Sequence, residues 1–166
     1  KSFEKINNSI DEINLSYAAE YMLDSYLISK ARNHSLICLK DKYVLVEMSY
    51  IAAPQNLFEI IFELKVNGYI PVIAHPERYF FYHNNLTNYL KLKEFGCLFQ
   101  INLLSATGYY GNSVVKCLDK LIESKCANFV GSDIHKQNHI NNFSNNIKIK
   151  NKEGLEEIIQ KNMLFG

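Results

Sequence analysis

The stretch GYIPVIAHPERY, residues 68–79, decides the fold of this chain. Its apolar run, Ile70 to Ala74, predicts a buried β-strand that ends at His75. In parallel α/β proteins, ligands bind and chemistry takes place at the carboxyl ends of the strands. A histidine at such a position can bind a metal ion, and an arginine three residues later, here Arg78, can bind phosphate through its planar guanidinium group. The stretch therefore predicts a parallel strand that leads into a metal or phosphate site.

The same pattern occurs a second time, later in the chain. An apolar run ends at Gly131 and is followed by Ser-Asp-Ile-His, residues 132–135. Asp133 and His135 are separated by one residue, a compact spacing that lets two side chains reach one metal cluster. Two strand ends that carry His, Asp and Arg together predict a single metal-assisted phosphate site.

Composition limits the class of protein. The chain has 166 residues, of which 48% are apolar, and we interpret residues 1–166 as one domain. The net charge of +1 does not indicate nucleic acid or an anionic membrane surface as a partner. No apolar run approaches the ~20 residues of a membrane span, so we expect no stable membrane insertion. The cysteines lack zinc-like spacing and lie in or beside apolar segments, which predicts reduced thiols in a cytoplasmic protein: Cys38, Cys97, Cys117 and Cys126.

Strand and helix patterns alternate along the chain, which predicts an α/β fold with a parallel sheet. The strands are continuous apolar runs, as expected when helices cover the sheet. An amphipathic segment comes first, in which Phe3, Ile6, Ile10 and Ile13 recur at helical spacing. The predicted strands are residues 14–19, 43–48, 70–74, 98–102 and 127–131. The predicted helices are residues 24–32, 54–67, 86–95, 112–124 and 153–162, with a polar stretch at 139–151.

Five polar residues fall at or just past the carboxyl ends of these strands: Glu20, His75, Asn102, Asp133 and His135. From the residues alone, a histidine such as His75 is more often a structural hydrogen-bonding group, and Glu20 is more often a surface carboxylate. Arg78 could pair with the neighbouring Glu77 or with a helix end. Glu47 also ends a strand, and we assign it a structural hydrogen bond.

Several enzyme classes are excluded by their missing motifs. No cysteine is followed by arginine six positions later, which excludes a cysteine-dependent tyrosine phosphatase. The chain contains no G-x-G-x-x-G sequence or P-loop, which argues against nucleotide-cofactor chemistry. It also lacks the G-x-S-x-G sequence of many serine hydrolases.

Five segments, in this order, carry a family resemblance: AAEYMLD (18–24), YVLVEMS (43–49), GYIPVIAHPERY (68–79), FQINLLSATGYYG (99–111) and GSDIH (131–135). Together they resemble the bacterial PHP-type (polymerase and histidinol phosphatase) protein-tyrosine phosphatases of capsule and exopolysaccharide operons. The resemblance implies the carboxyl-terminal portion of a distorted (β/α)7 barrel similar to a TIM barrel, with a parallel sheet and covering helices. It also implies a divalent metal cluster, with manganese as the first expectation and iron, zinc or magnesium as alternatives.

The resemblance further implies roles for individual residues. The metal ligands would be Glu20, His75, Asp133 and His135, and the catalytic residues Arg78 and His135. Arg78, Lys136 and His139 would bind the substrate, although a solvated helix start is the favoured interpretation of His139 alone. The substrate would be a phosphotyrosine protein, in particular a bacterial tyrosine kinase of polysaccharide export. The loop at 108–111 is interpreted either as a wall of the phosphotyrosine pocket or as a plain turn.

The chain departs from the family pattern in two places. It lacks the family's His-x-His strand, Asp-Asp-Gly loop and Thr-Pro-His strand end, so it resembles the last two-thirds of the enzyme. Relatives often carry arginine after the SDIH segment, where this chain has Lys136. We therefore expect the 166-residue chain alone to be a poor phosphatase and prone to association, with residues 14–19 and 127–131 as exposed sheet edges. The alternatives are a small-molecule phosphatase, such as a histidinol phosphatase, and a catalytically incomplete remnant that acts as a binding module.

Overall fold

Five short β-strands form one parallel sheet in the computed structural model, which describes residues 15–165. Every neighbouring pair of strands is parallel, and the order across the sheet is β1-β2-β3-β4-β5. The predicted α/β class and parallel sheet are thus confirmed. The strands are β1 (Glu20–Met22), β2 (Tyr43–Glu47), β3 (Ile70–Ala74), β4 (Leu98–Asn102) and β5 (Phe129–Gly131).

The order of the strands in the sheet follows their order in the chain. Crossovers between parallel strands are right-handed in almost all proteins, and with this strand order such crossovers would place successive connecting helices on the same face of the sheet. This one-directional winding is that of a β/α barrel, whereas a doubly wound sheet reverses direction at a switch point. The sheet therefore has the winding that the resemblance implies, and closure into a seven-stranded barrel stays a prediction.

Six α-helices and four short 3₁₀ turns connect and flank the strands in the described residues. Helix α1 begins after Asp24, whose side chain accepts a hydrogen bond from the backbone N–H of Leu27. The helices are α1 (Ser25–Arg32), α2 (Leu57–Val66), α3 (Leu86–Glu94), α4 (Asn112–Glu123), α5 (Gln137–Asn142) and α6 (Lys152–Lys161). The 3₁₀ turns are Pro76–Arg78, Phe80–Tyr82, Leu103–Thr107 and Asn162–Leu164. None of these helices is long and apolar enough to cross a membrane.

The main core packs against one face of the sheet. Val44 and Val46 of β2 and Ile73 of β3 are fully buried there, together with apolar side chains of α1, α2 and α3. Because side chains alternate along a strand, Glu47 of β2 points to the opposite face. Glu20 is paired in register with Leu45, so it lies on the same face as Glu47.

The first predicted strand is wrong. Residues 15–19 have no strand structure, and β1 begins at Glu20, which we had placed at a strand end. The backbone N–H of Ala19 instead donates to the carbonyl of Ile37. Because β1 pairs with the last three residues of β2, it lies toward the carboxyl edge of the sheet and still brings Glu20 there. Residue 14 and the amphipathic segment that precedes it lie outside the described residues.

Strand β5 is shorter than predicted, and its edge is partly covered. The side chain of Asn162 accepts a hydrogen bond from the Val130 N–H at 3.0 Å and donates one to the Val130 carbonyl at 2.8 Å. The Val130 N–H and carbonyl, which a neighbouring strand would otherwise bind, are thus paired with a side chain. The ring of Phe165 also packs against that of Phe129. The prediction of an open edge at residues 127–131 is therefore wrong at Val130, while the tendency to associate stays a prediction.

Candidate active site

A cavity of about 450 Å³ opens at the carboxyl edge of the sheet. Every residue that the sequence analysis assigned to metal binding, catalysis or substrate binding lies on its wall. The walls are formed by Glu20, Glu47, Tyr50, His75, Arg78, Tyr109, Tyr110, Asp133, His135, Lys136 and His139. The structure thus brings the predicted residues together, and their individual roles remain predictions.

One imidazole and two carboxylates form the innermost part of this cavity. Nε2 of His75 lies 3.2 Å from Oε1 of Glu20 and 3.5 Å from Oε2 of Glu47. Ligand atoms of the three residues all lie within 4.8 Å of one another, and among the described residues no other group meets that criterion. Glu47, which we had assigned a structural hydrogen bond, therefore has the position of a ligand. The signal for this position in the sequence is the strand alternation, which puts Glu47 on the face opposite the buried Val44 and Val46.

The two carboxylates favour a positive charge at this point. Burial lowers the pKa of His75, but the hydrogen bonds that its ring N–H donates to Glu20 and Glu47 outweigh this effect and raise the pKa to about 9. The other ring nitrogen, Nδ1, is buried and has no hydrogen-bond partner among the described residues. Imidazole and carboxylate groups are suitable ligands for manganese, iron and zinc. This donor set therefore fits the divalent cation that the resemblance implies.

Unusual backbone conformations direct two of these side chains. His75 and Asp133 have positive φ angles of 35° and 48°, in the left-handed region that non-glycine residues seldom adopt. Such conformations cost roughly 1–3 kcal/mol each and are concentrated at functional sites. At His75 the chain leaves β3 and enters the 3₁₀ turn Pro76–Arg78, with the N–H of Arg78 bonded to the carbonyl of His75. This turn brings the imidazole and the guanidinium group to the same cavity.

Arg78 is held by a carboxylate and two aromatic rings. Its Nη1 donates to Oδ2 of Asp133 at 2.5 Å, and its guanidinium carbon lies 4.8 Å and 4.2 Å from the ring centroids of Tyr50 and Tyr110. The alternative that Arg78 pairs with Glu77 is therefore wrong. Asn102 donates to the same oxygen of Asp133 at 3.3 Å, and His135 Nε2 lies 2.6 Å from the other oxygen. Asp133 thus links the strand ends, and its role as a ligand stays a prediction.

His139 and the tyrosine loop complete the outer wall. His139 is only 7% exposed, so its interpretation as a solvated helix start is wrong. Its Nδ1 lies 3.2 Å from the carbonyl of Asp133, and its ring contacts that of Tyr109. Gly108 and Gly111 have positive φ angles, which glycine adopts at no steric cost, on either side of Tyr109 and Tyr110. Tyr109 and Tyr110 line the cavity and also pack against each other, and the interpretation of this loop as a wall of a phosphotyrosine pocket stays a prediction.

Glu77 is a residue that the sequence analysis did not assign to the site. It is fully buried, and its Oε1 accepts hydrogen bonds from the backbone N–H of Asn102 at 2.9 Å and the hydroxyl of Ser105 at 2.6 Å. Burial raises the pKa of this carboxyl group. Glu77 therefore ties the turn that carries His75 and Arg78 to the end of β4. The sequence does not show that the Glu77 side chain points into the protein, because the 3₁₀ turn Pro76–Arg78 determines its direction.

We expect Glu77→Ala to destabilise the fold by about 2–4 kcal/mol. Two buried donors, on Asn102 and Ser105, would lose their acceptor, and each unpaired group costs roughly 1–3 kcal/mol. Glu77→Gln keeps an acceptor oxygen at this position and should lose less than half as much. Urea unfolding followed by circular dichroism measures both variants. Equal losses in the two would contradict the role of these hydrogen bonds.

The chain matches a known family model over nearly its whole length. Residues 1–162 match the model described as "Capsular polysaccharide synthesis, CpsB/CapC". The putative tyrosine-protein phosphatase CapC of Staphylococcus aureus is 33% identical over 134 residues, which cover 79% of this chain and 52% of that protein. The tyrosine-protein phosphatase YwqE of Bacillus subtilis (strain 168) is 36% identical over 101 residues, or 60% of this chain and 40% of the relative.

A solved structure agrees with these sequence matches. It is described as "Crystal structures of YwqE from Bacillus subtilis and CpsB from Streptococcus pneumoniae, unique metal-dependent tyrosine phosphatases". It matches at a TM-score of 0.72 and 28% identity, covering 82% of this chain and 55% of that one. The chain spans about half the length of the curated relatives it matches.

Proposed function

The chain belongs to the CpsB/CapC family of capsular polysaccharide synthesis, and on this premise we propose that its cavity serves metal-dependent hydrolysis of protein phosphotyrosine. One observation carries the proposal. The carboxylate–imidazole group of Glu20, Glu47 and His75 shares a single cavity with the guanidinium group of Arg78. A cation-binding group beside a phosphate-binding group is the arrangement that phosphoester hydrolysis requires.

In this proposal Glu20, Glu47 and His75 hold divalent metal, with Asp133 and His135 as further ligands. When bound, the metal polarises phosphoryl oxygens and lowers the pKa of bound water toward ~7. Manganese is the first expectation, and iron, zinc and magnesium are the alternatives. The choice rests on the donor set, which contains imidazole and carboxylate and no thiolate.

Arg78 binds the phosphoryl group in the proposed reaction. A guanidinium group can donate two parallel hydrogen bonds to phosphate oxygens and offset the charge that develops on them. The contact with Asp133 orients Arg78, and the rings of Tyr50 and Tyr110 limit its movement. Arg78 therefore enters the reaction already positioned, which reduces the entropic cost of binding.

The remaining wall residues act at the outer side of the cavity. His135 is 71% exposed and lies against Asp133, and in this proposal it is both a metal ligand and a catalytic residue. Lys136 supplies positive charge for the phosphate but not a bidentate fork. His139 positions the segment of Asp133 and His135 and borders the substrate.

We also propose the biological setting of the reaction. The substrate is a tyrosine-phosphorylated protein, with a bacterial tyrosine kinase of polysaccharide export as the expected partner. The family description, capsular polysaccharide synthesis, supports this setting, and so do the tyrosine-protein phosphatases CapC of Staphylococcus aureus and CpsB of Streptococcus pneumoniae among the relatives. The four cysteines are free thiols, which supports a reducing compartment, the cytoplasm.

The test is hydrolysis of a phosphotyrosyl peptide by the purified protein with added Mn²⁺. Because we expect the 166-residue chain alone to be a poor phosphatase, we expect slow phosphate release, which a chelator abolishes and Mn²⁺ restores, and hydrolysis of histidinol phosphate that is at least about tenfold slower still. The full-length Bacillus subtilis relative serves as the positive control. Faster hydrolysis of histidinol phosphate would favour a small-molecule phosphatase. Metal binding without any turnover would favour the interpretation as a binding module.

Glu47→Gln tests the ligand that the sequence analysis missed. An amide is a much weaker ligand for a cation than a carboxylate, so we expect Mn²⁺ affinity to fall roughly 10–100-fold, the range seen even for groups that support metal ligands. Titration calorimetry with Mn²⁺ measures the change, and Glu59→Gln, on an exposed position of α2, is the control. If Glu47 makes only a structural hydrogen bond, the Mn²⁺ affinity of the variant will equal that of the unmodified protein.

A further inference from the structure

A second, smaller cavity adjoins the candidate active site. It has a volume of about 220 Å³ and is lined by Tyr50, Arg78, Phe80, Tyr110 and Val114. Tyr50, Arg78 and Tyr110 also line the main cavity, so these three side chains form the boundary between the two. A group bound to Arg78 on one side therefore lies next to whatever occupies the other side.

The chemistry of the second cavity differs from that of the first. Among the described residues, three aromatic rings and one aliphatic side chain form its walls beside Arg78, and no side chain with a carboxylate, amide or imidazole contributes to it. Its one charge, on Arg78, is matched by Asp133. Phe80 is 58% exposed at the rim, so its ring can still lose contact with water when a ligand binds. Such a cavity favours an uncharged apolar or aromatic group.

We propose that this cavity binds an apolar side chain, preferably aromatic, of the residue next to phosphotyrosine in the substrate. The inference rests on the proposed function, since it takes Arg78 as the phosphate-binding residue. Neighbouring residues of a peptide are only about 3.8 Å apart at their Cα atoms. A peptide whose phosphotyrosine occupies the main cavity carries adjacent side chains, one of which can extend past Tyr50 and Tyr110, whose rings line both cavities. The second cavity is an apolar surface beyond that boundary, and Phe80 and Val114 are specificity residues for it.

Binding of non-hydrolysable peptides tests this inference without requiring turnover. The peptides contain phosphonomethyl-phenylalanine in place of phosphotyrosine, with either phenylalanine or alanine immediately before it, and a second pair varies the position immediately after it. Fluorescence anisotropy measures their dissociation constants. We expect phenylalanine to improve affinity about tenfold in at least one of the two pairs, as an apolar group in a fitting pocket does. Equal affinities within both pairs, or no peptide binding at all, would overturn the inference.

Two variants with matched side chains locate the effect. Phe80→Ala should reduce the preference for phenylalanine to less than about threefold, because the rim of the cavity is lost. Phe62→Ala removes a phenylalanine of α2 that is 60% exposed and lines neither cavity, so the preference should persist. A preference that survives Phe80→Ala would contradict the assignment.

Hydrolysis of free phosphotyrosine with Mn²⁺ separates this inference from the proposed function. Phosphotyrosine has no neighbouring residue, so the unmodified protein and the Phe62→Ala control should hydrolyse it equally fast. Absence of this hydrolysis in both proteins would count against the proposed function. Normal hydrolysis together with equal peptide affinities would count against the second cavity alone.

Discussion

Replacing His75 with alanine is expected to remove bound metal and phosphatase activity together. His75 is 4% exposed, and its Nε2 is the one nitrogen in the group that it forms with Glu20 and Glu47. The variant leaves two carboxylates facing each other without the imidazole between them. Loss of a group that merely supports a metal ligand costs roughly 10–100-fold in metal affinity, so loss of the ligand itself should exceed that range.

Metal analysis and kinetics on the same samples check this expectation. Metal content is measured by mass spectrometry after dialysis against Mn²⁺, and activity with a phosphotyrosyl peptide. His34→Ala is the matched control, because His34 is an exposed histidine that does not line the cavity. Full metal content in the His75→Ala variant would show that the metal binds elsewhere. Normal activity without metal would contradict metal-dependent hydrolysis.

The central strands were predictable because their sequence and their environment agree. Strands β3 and β4 have the same bounds as the apolar runs 70–74 and 98–102 that predict them. A glycine that follows a helix, Gly68 or Gly96, precedes each of these strands. Buried strands covered by helices are apolar throughout, so a run of such residues between turn signals defines the strand. His75 followed from β3 in the same way.

The edges of the sheet were less predictable, because edge strands depend on a partner that the local sequence does not specify. The position of β1 follows from its pairing with residues 45–47 of β2. Ala19, which the sequence places in the first strand, instead donates its backbone N–H to the carbonyl of Ile37. The cover on β5 comes from Asn162, which lies 32 residues away from Val130 in the chain. A side chain that replaces a neighbouring strand leaves no periodic signal in the sequence.

The members of the site were predictable as a set, but their pairing was not. Arg78 and Asp133 are separated by 55 positions, and only the fold shows that they form an ion pair. Strand alternation puts Glu47 on the face opposite Val44 and Val46, but only the pairing of β1 with β2 shows that Glu20 lies on that same face. Glu77 was overlooked because full burial of a carboxylate is rare and depends on donors from elsewhere in the chain, here Asn102 at the end of β4 and Ser105 in the 3₁₀ turn that follows it.

Arg78→Lys is expected to impair catalysis strongly while leaving metal content unchanged. Lysine keeps the positive charge but cannot donate two parallel hydrogen bonds to a phosphoryl group. Loss of one preorganised donor to a developing negative charge costs roughly 10²–10³ in rate, so we expect kcat/KM to fall within that range. Inhibition by inorganic phosphate should weaken as well, since the same contact binds the product.

The chain provides a close control for this experiment, because Arg32 is its only other arginine. Arg32 donates to Glu63 through two nitrogens, at 3.0 Å and 2.6 Å, so it makes the bidentate contact away from the cavity. Arg32→Lys should leave kcat/KM and phosphate inhibition unchanged. The comparison shows whether the loss depends on an arginine in the cavity or on the loss of any bidentate arginine contact. Loss of metal in the Arg78→Lys variant would have a different meaning. Arg78 would then act through Asp133, by holding that carboxylate in place for the metal. Another group would have to bind the substrate phosphate, and the candidate is Lys136, the other cationic side chain that lines the cavity near Asp133 in the sequence.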